Sequence, residues 1–260
     1  MTPYGLWKAA NAVAVFAAAT GFIRPRALAG FLIGSAAFLS CGVCDLRLNF
    51  FGRCAWRGKR NSRCISLSFD DGPDPELTPR ILSVLDQYGI KATFFVVGAR
   101  AQLRPDLVRS ALERGHTIGC HDLYHRGTEN FRFFRRAYDE INSATEIIGD
   151  IIGRRPRLYR PPVGLMNPYV AKAVKTLDLT CIGWSSSARD FGNRRTRGVR
   201  QIGQLGQPGD IVLLHDNVGN PAFTDSVLVQ LDMLCTRITT LGLKGVPVDQ
   251  LTGISAYTST

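Results

Sequence analysis

Charge is scarce in this 260-residue chain, at 20% of residues, and acid is scarcer still near the start, where Asp45 is the lone carboxylate in the first 63 positions. Low charge beside 45% hydrophobic residues excludes a disordered chain and a charged coiled coil, and Gly and Pro, dispersed without a period, exclude collagen. There is no repeat, so solenoids and propellers are excluded. Cysteine is too few and odd in number, at seven, for a complete disulfide framework. Cys41, Cys44, Cys120 and Cys181 fall in apolar runs, where reduced cysteine packs as a small hydrophobe. Cys41-x-x-Cys44 has a redox or zinc spacing but lacks a second pair. Histidine is the rarest titratable residue, with four copies, so the placement of each is informative.

What is present in excess is positive charge, net +11. Nine Lys and Arg precede position 64 against Asp45, a local +8 that leaves the remaining body at +3. A basic collar beside apolar segments fits a membrane surface rather than a nucleic-acid groove, and no nucleic-acid partner is expected. The apolar segments are 9–23 and 27–44, split by Arg24-Pro25-Arg26. As helices they would be about 22 and 27 Å long, against a hydrocarbon layer near 30 Å. The first lengthens if Lys8 snorkels and Trp7 sits at the interface. A membrane hairpin or single anchor is expected over 1–46, then a basic linker over 47–63 and a catalytic domain over 64–255. A cleaved signal peptide ending near Ala17-Ala18-Ala19 is the competing reading, but it has one n-region lysine and leaves a second apolar run exposed. Positive residues flanking a hairpin favour a cytoplasmic body, whereas one span places the body outside.

From Cys64 onward short apolar runs alternate with amphipathic stretches. Strands are expected at 65–69, 92–97, 117–120, 157–160, 180–184, 211–215 and 243–248. Helices are expected at 77–88, 105–114, 131–152, 168–177, 196–206 and 225–241, with Gly89, Gly115 and Gly242 as C-terminal caps. Seven strand–helix alternations predict an α/β fold with a parallel sheet curled into a closed or nearly closed barrel, whose function collects at the carboxyl ends of its strands.

The polar residues obey that rule. Asp70 and Asp71 follow the first of these strands, His121 and His125 the third, Arg160 ends the fourth, Asp190 lies beyond the fifth and His215 ends the sixth. Asp71, His121 and His125 form a two-imidazole, one-carboxylate set that leaves metal positions open, with zinc as the default and cobalt or another divalent ion as alternatives. An open-site cation lowers the pKa of bound water from about 15.7 to about 7 and polarises a carbonyl. Asp70 stays free as a base, Gly72-Pro73 makes the turn that presents both carboxylates, and His215 can protonate a leaving nitrogen. Arg160 and Asp190 are expected to orient Asp70 and His215, respectively. His116, ahead of a strand, is expected to pack or hydrogen-bond rather than ligate. The run Phe131-Arg132-Phe133-Phe134-Arg135-Arg136 reads as an amphipathic helix start, with contact to an anionic glycan or headgroup as the alternative.

Five ordered motifs over about three quarters of the chain make it similar to the polysaccharide deacetylases of carbohydrate esterase family 4. They are Ser-Phe-Asp-Asp-Gly-Pro at 68–73, His-Asp-Leu-Tyr-His at 121–125, Arg-Pro-Pro-Val-Gly at 160–164, Trp-Ser-Ser-Ser-Ala-Arg-Asp-Phe at 184–191 and Ile-Val-Leu-Leu-His-Asp at 211–216. The resemblance implies a distorted (β/α)7 barrel and metal-dependent removal of acetyl groups from N-acetylglucosamine-type residues of a polysaccharide, oligosaccharide or lipid-linked saccharide. It implies Asp70 as base, Asp71, His121 and His125 as ligands, His215 as acid, and Arg160 and Asp190 as supports. It further implies the Val163 amide as an oxyanion donor, with Trp184 and Leu213 walling an acetyl-methyl pocket. Two positions depart from the family pattern: Asp122 replaces a usual Ser or Thr and is expected to add negative charge beside the metal, and Val163 replaces a frequent aromatic. The alternatives are a catalytically silent carbohydrate-binding protein on the same fold and a deacylase for another acyl group.

Overall fold

The computed structural model describes residues 2–20, 24–126, 133–187, 201–217 and 219–258. Two apolar helices come first, α1 (Pro3–Ala19) and α2 (Pro25–Cys44), each opened by a proline in its first turn, where the missing N–H costs nothing. They pack on one another, with the Trp7 indole N–H donating to the Ser35 carbonyl at 3.1 Å and the Ser35 hydroxyl to Asn11 Oδ1 at 2.8 Å. By length and composition α2 can cross a membrane, with 20 residues and a mean hydropathy of 2.0. Tyr4 N–H donates to the Phe50 carbonyl and Met166 N–H to the Val43 carbonyl, which seats the base of the helix pair on the domain that follows.

That domain is a parallel sheet with the strand order β1-β6-β5-β4-β3-β2-β8-β7. The strands are β1 (Cys54–Ala55), β2 (Cys64–Asp70), β3 (Thr93–Val96), β4 (Thr117–Cys120), β5 (Leu158–Tyr159), β6 (Thr180–Ile182), β7 (Ser186–Ser187) and β8 (Ile211–His215); β9 (Lys244–Gly245) pairs with the start of β2. All seven expected strands are present. The structure adds β1, inside the stretch expected to be linker, and β7. The sheet path has two ends, so the barrel is curled and open among the described residues. The helices α3 (Leu77–Gln87), α4 (Gly98–Leu103), α5 (Pro105–Glu113), α6 (Phe134–Ile152), α7 (Pro168–Thr176), α8 (Thr224–Thr240) and α9 (Val248–Thr252) complete the alternation. Gly89, Gly115 and Gly242 take the left-handed conformation just beyond α3, α5 and α8, where a side chain would be strained. The last expected strand, 243–248, is confined to Lys244–Gly245 and stops three residues early, because Pro247 caps α9 and Val248 begins a helix. Residues 196–200 of the expected 196–206 helix lie outside the described residues, and 201–206 holds only a 3-10 turn, Ile202–Gln204, in place of an α-helix.

The central strand β2 shows how the sequence sorts polar from apolar. Ile65, Leu67 and Phe69 belong to the main core beneath the helices, while the intervening Ser66, Ser68 and Asp70 are also buried, on the opposite face. A second core of Phe95, Leu158, Ile182, Ile211, Val248 and Ala256 fills the floor of the barrel. Helices close one face of β2 and this plug the other, and its carboxyl end emerges at the rim.

His116 belongs to the core. Its Nδ1 accepts from the Ala92 N–H at 3.1 Å, and its ring meets Phe94 edge-on with centroids 5.4 Å apart. Burial pushes its pKa down to about 4, with Lys91 and Arg114 adding to the effect and Asp86 opposing it. The unfolded imidazole titrates near 6.5, so between those values the unfolded state binds more protons. The contribution is therefore complete above pH 6.5 and is lost as the pH falls through 4, up to about 3 kcal/mol. Thermal melts of chelator-treated protein at pH 7 and 4.5 should show a smaller acid-induced drop for His116→Gln than for wild type; equal drops would contradict the assignment.

Candidate metal centre and acid–base rim

The carboxyl ends of β2, β4, β5 and β8 bring most of the expected residues to one rim. Asp70 closes β2 and stands in register with His215 at the end of β8 and with Phe95 on β3. Asp71 follows, and His121 and His125 descend from the end of β4. One ligand atom from each of Asp71, His121 and His125 lies within 4.8 Å of the others. Asp71 Oδ1 is 3.1 Å from His125 Nε2 and 3.5 Å from His121 Nε2.

Backbone strain concentrates here. Asp71, Asp122, His125 and Val163 all adopt positive φ, at 75°, 69°, 52° and 59°. Non-glycine residues in this region are costly and persist where the surroundings over-determine them, which is typical of functional sites. Gly72 is required for a different reason: a Cβ there would fall 2.0 Å from the Asp216 carboxylate. Asp216 itself is fully buried, accepts from the Thr78 hydroxyl at 2.7 Å, and is pushed up to about 7. Burial is the main cause, opposed by the Thr78 hydrogen bond and reinforced by the Asp71, Asp70 and Asp74 carboxylates. Gly72→Ala is expected to cost about 1–3 kcal/mol by overpacking and to displace Asp71; an unchanged melting temperature and metal content would contradict this reading.

The donor set fits a divalent cation. His121 Nδ1 lies 2.8 Å from the Arg160 carbonyl, which can only accept, so Nδ1 carries the proton and Nε2 turns a lone pair toward Asp71. Asp71 Oδ1 is buried and has no hydrogen-bond donor. Lone pairs converging on a buried carboxylate oxygen call for positive charge between them. Burial raises the Asp71 carboxyl, but the imidazoles of His121, His125 and His215 outweigh it and hold the group below the usual range. Burial lowers His121, and the Asp70 and Asp71 carboxylates more than reverse this, so a proton and a metal compete for Nε2. His125 is lowered, first by burial and then by His121.

Arg160 organises the base. It is wholly buried, and its guanidinium donates to Asp70 Oδ1 at 2.7 Å, Ser68 Oγ at 2.9 Å, the Ile182 carbonyl at 3.2 Å and the Gly183 carbonyl at 2.9 Å. Its Cζ also lies over the Phe95 ring, 4.1 Å from the centroid. With Oδ1 fixed, Asp70 Oδ2 is left 3.7 Å from His121 Nε2. The Val163 side chain is exposed on a tight turn whose neighbours Pro162 and Gly164 are buried, and Gly164 packs its backbone against Trp184, where a Cβ would clash with the indole. Leu213 lies two residues before His215 on the same face of β8 and is buried. Asp190 lies outside the described residues, as do positions 131 and 132 of the aromatic–arginine run.

Sequence reasoning missed three contributors. Ser68 shares the inward face of β2 with Asp70, a signal the two-residue period carries. Arg100 on α4 donates to the Asp71 backbone carbonyl and so fixes the ligand's peptide. Asp216 shapes the turn at Gly72. Asp122 differs from expectation: its carboxylate accepts from its neighbour Leu123 N–H and from the Tyr159 hydroxyl, and it is not part of the three-residue cluster.

Comparison with known proteins gives a consistent set of similarities. The family described as polysaccharide deacetylase matches residues 57–182. The peptidoglycan-N-acetylglucosamine deacetylase of Bacillus cereus is 33% identical over 192 residues, covering 69% of this chain and 85% of that protein. The peptidoglycan-N-acetylglucosamine deacetylase PgdA of Listeria monocytogenes is 33% identical over 198 residues, and the match spans 76% of this chain but 40% of PgdA. Among solved structures, a peptidoglycan N-acetylglucosamine deacetylase in complex with 4-naphthalen-1-yl-N-oxidanyl-benzamide superposes with a TM-score of 0.70 at 28% identity, over 78% of this chain and 94% of that one.

Proposed function

Since the chain belongs to the polysaccharide deacetylase family, we propose that Asp70 and His215 act as its base and acid beside a zinc ion held by Asp71, His121 and His125. The protein is a metal-dependent hydrolase of linear amides that removes acetyl groups from N-acetylated sugar residues. Two imidazoles and a carboxylate with open positions suit zinc among the divalent ions. Bound there, a divalent ion supplies Lewis-acid polarisation of the acetyl carbonyl and a lowered pKa for water.

The side chains divide the remaining work. Asp70, held by Arg160 through one oxygen, uses the other to take a proton from the attacking water. His215, its register partner across the β2–β8 pair, delivers a proton to the departing sugar nitrogen. The Val163 N–H donates to the developing oxyanion, and its left-handed conformation presets the peptide. Trp184 and Leu213 wall the site of the acetyl methyl, and Asp190 orients His215.

The observation that carries this reading is the pairing of Asp70 with His215 on adjacent strand ends, next to three groups able to share one ion. The substrate is an N-acetylglucosamine-type residue of a polysaccharide, an oligosaccharide or a lipid-linked saccharide. The helix pair α1–α2 would place the enzyme at a membrane, which suits a lipid-linked or wall-associated glycan, because tethering raises the local concentration of a bound substrate.

Detergent-purified, zinc-loaded full chain should release acetate from chitooligosaccharides, peptidoglycan fragments or polyprenyl-linked N-acetylglucosamine. Glycan binding without acetate release from any of them would establish the silent-binder alternative; release from formyl or ester analogues alone would establish a different deacylase.

A further inference from the structure

Cys54 on β1 and Cys181 on β6 are 127 positions apart in sequence, yet they are register partners on neighbouring parallel strands. Parallel strands run about 4.8 Å apart, within the Cα separation that disulfide geometry accepts. Both side chains are buried, and their sulfurs lie 3.0 Å apart, inside the contact distance of two unbonded sulfur atoms. Cys41 and Cys44 are exposed near the end of α2, and Cys64, Cys120 and Cys235 sit on separate elements.

We propose that Cys54 and Cys181 are a disulfide site, closed in the working protein by exchange with a disulfide oxidant such as oxidised glutathione or a thiol–disulfide oxidoreductase. In balanced form, one cysteine thiolate attacks the oxidant's disulfide and releases one thiol. The second cysteine then displaces the other, so two cysteine thiols and one external disulfide become one internal disulfide and two external thiols. Burial pushes the Cys181 thiol up, which makes it a poor nucleophile once the strands have closed, so the exchange belongs to folding.

The position gives the bond a consequence at the rim. β1 is a two-residue edge strand, and it is the point where the segment leaving α2 joins the sheet. Its Ala55 carbonyl accepts from the Gly183 N–H at 2.8 Å, and the Ile182 and Gly183 carbonyls hold the Arg160 guanidinium that fixes Asp70. A covalent tie at Cys181 therefore braces the peptides that position the base. It also calls for an oxidising compartment, opposite to the side that the basic residues alone favour.

The test traps the full chain in membranes of the cells that make it. Samples are quenched in acid, alkylated with N-ethylmaleimide in urea and digested without reduction for mass spectrometry. The expected result is a Cys54–Cys181 cross-linked peptide and alkylation of the other five cysteines. Alkylation of all seven would overturn the proposal. As an independent readout, reducing the purified full chain should lower its melting temperature by about 10 °C, while the Cys54→Ser, Cys181→Ser double variant should show no response to reductant. An equal response in the two would likewise overturn it.

Discussion

Asp70→Asn is expected to reduce acetate release by about 100- to 10,000-fold while leaving the bound metal in place. Of the two neighbouring carboxylates, Asp71 faces the imidazoles, and Asp70 is held by Arg160 with one oxygen to spare. An amide in its place keeps the size and still accepts from the guanidinium, but it cannot take a proton from water. The substitution also has a structural cost. Arg160 is wholly buried, and removing the carboxylate charge paired with it among the described residues leaves an uncompensated cation, an effect of about 3–5 kcal/mol when nothing replaces the partner. The retained hydrogen bond and the Ser68, Ile182 and Gly183 acceptors soften this, so a lower melting temperature with a folded, metal-loaded protein is the expected companion result. Undiminished acetate release from this variant would remove Asp70 from the base role.

His125→Ala is expected to empty the metal centre. Loss of a group that merely orients a ligand already weakens metal affinity about 10- to 100-fold, and loss of a ligand itself costs more. His125 is the better ligand to remove because it is partly exposed, whereas His121 is buried and also holds the Arg160 carbonyl. The alanine variant should therefore fold, melt near the temperature of metal-free wild type, and carry far less than one zinc per chain by elemental analysis. Stoichiometric zinc in that protein would take His125 out of the ligand set.

The rim was legible in the sequence because its residues follow strands whose own pattern is strong. The stretches 117–120 and 211–215 are short apolar runs flanked by turn signals, and they occur as Thr117–Cys120 and Ile211–His215. Each ends on chemistry-bearing residues that no packing requirement explains. The two-residue strands Cys54–Ala55 and Ser186–Ser187 were not legible, because no apolar run extends beyond them to carry a period and their pairing is decided by the sheet. The cage around Arg160 was half legible. Asp70 and Ser68 share a face, but the Ile182 and Gly183 carbonyls are backbone groups without a sequence signature. The role of Asp216 was hidden for a similar reason: its effect is to exclude a side chain at Gly72, 144 positions earlier. Asp122, by contrast, looked like added charge beside the metal because sequence adjacency suggested it; its positive φ and its bonds to Leu123 and Tyr159 give its carboxylate other partners.

One measurement reaches the central claim directly: anomalous diffraction at the zinc edge from crystals of the full chain grown with zinc. The expected result is a single strong peak about 2.0–2.2 Å from Asp71 Oδ1, His121 Nε2 and His125 Nε2 together, with at least one coordination position not filled by protein. A peak bound elsewhere, or density showing these three side chains turned onto other partners in zinc-saturated crystals, would contradict it.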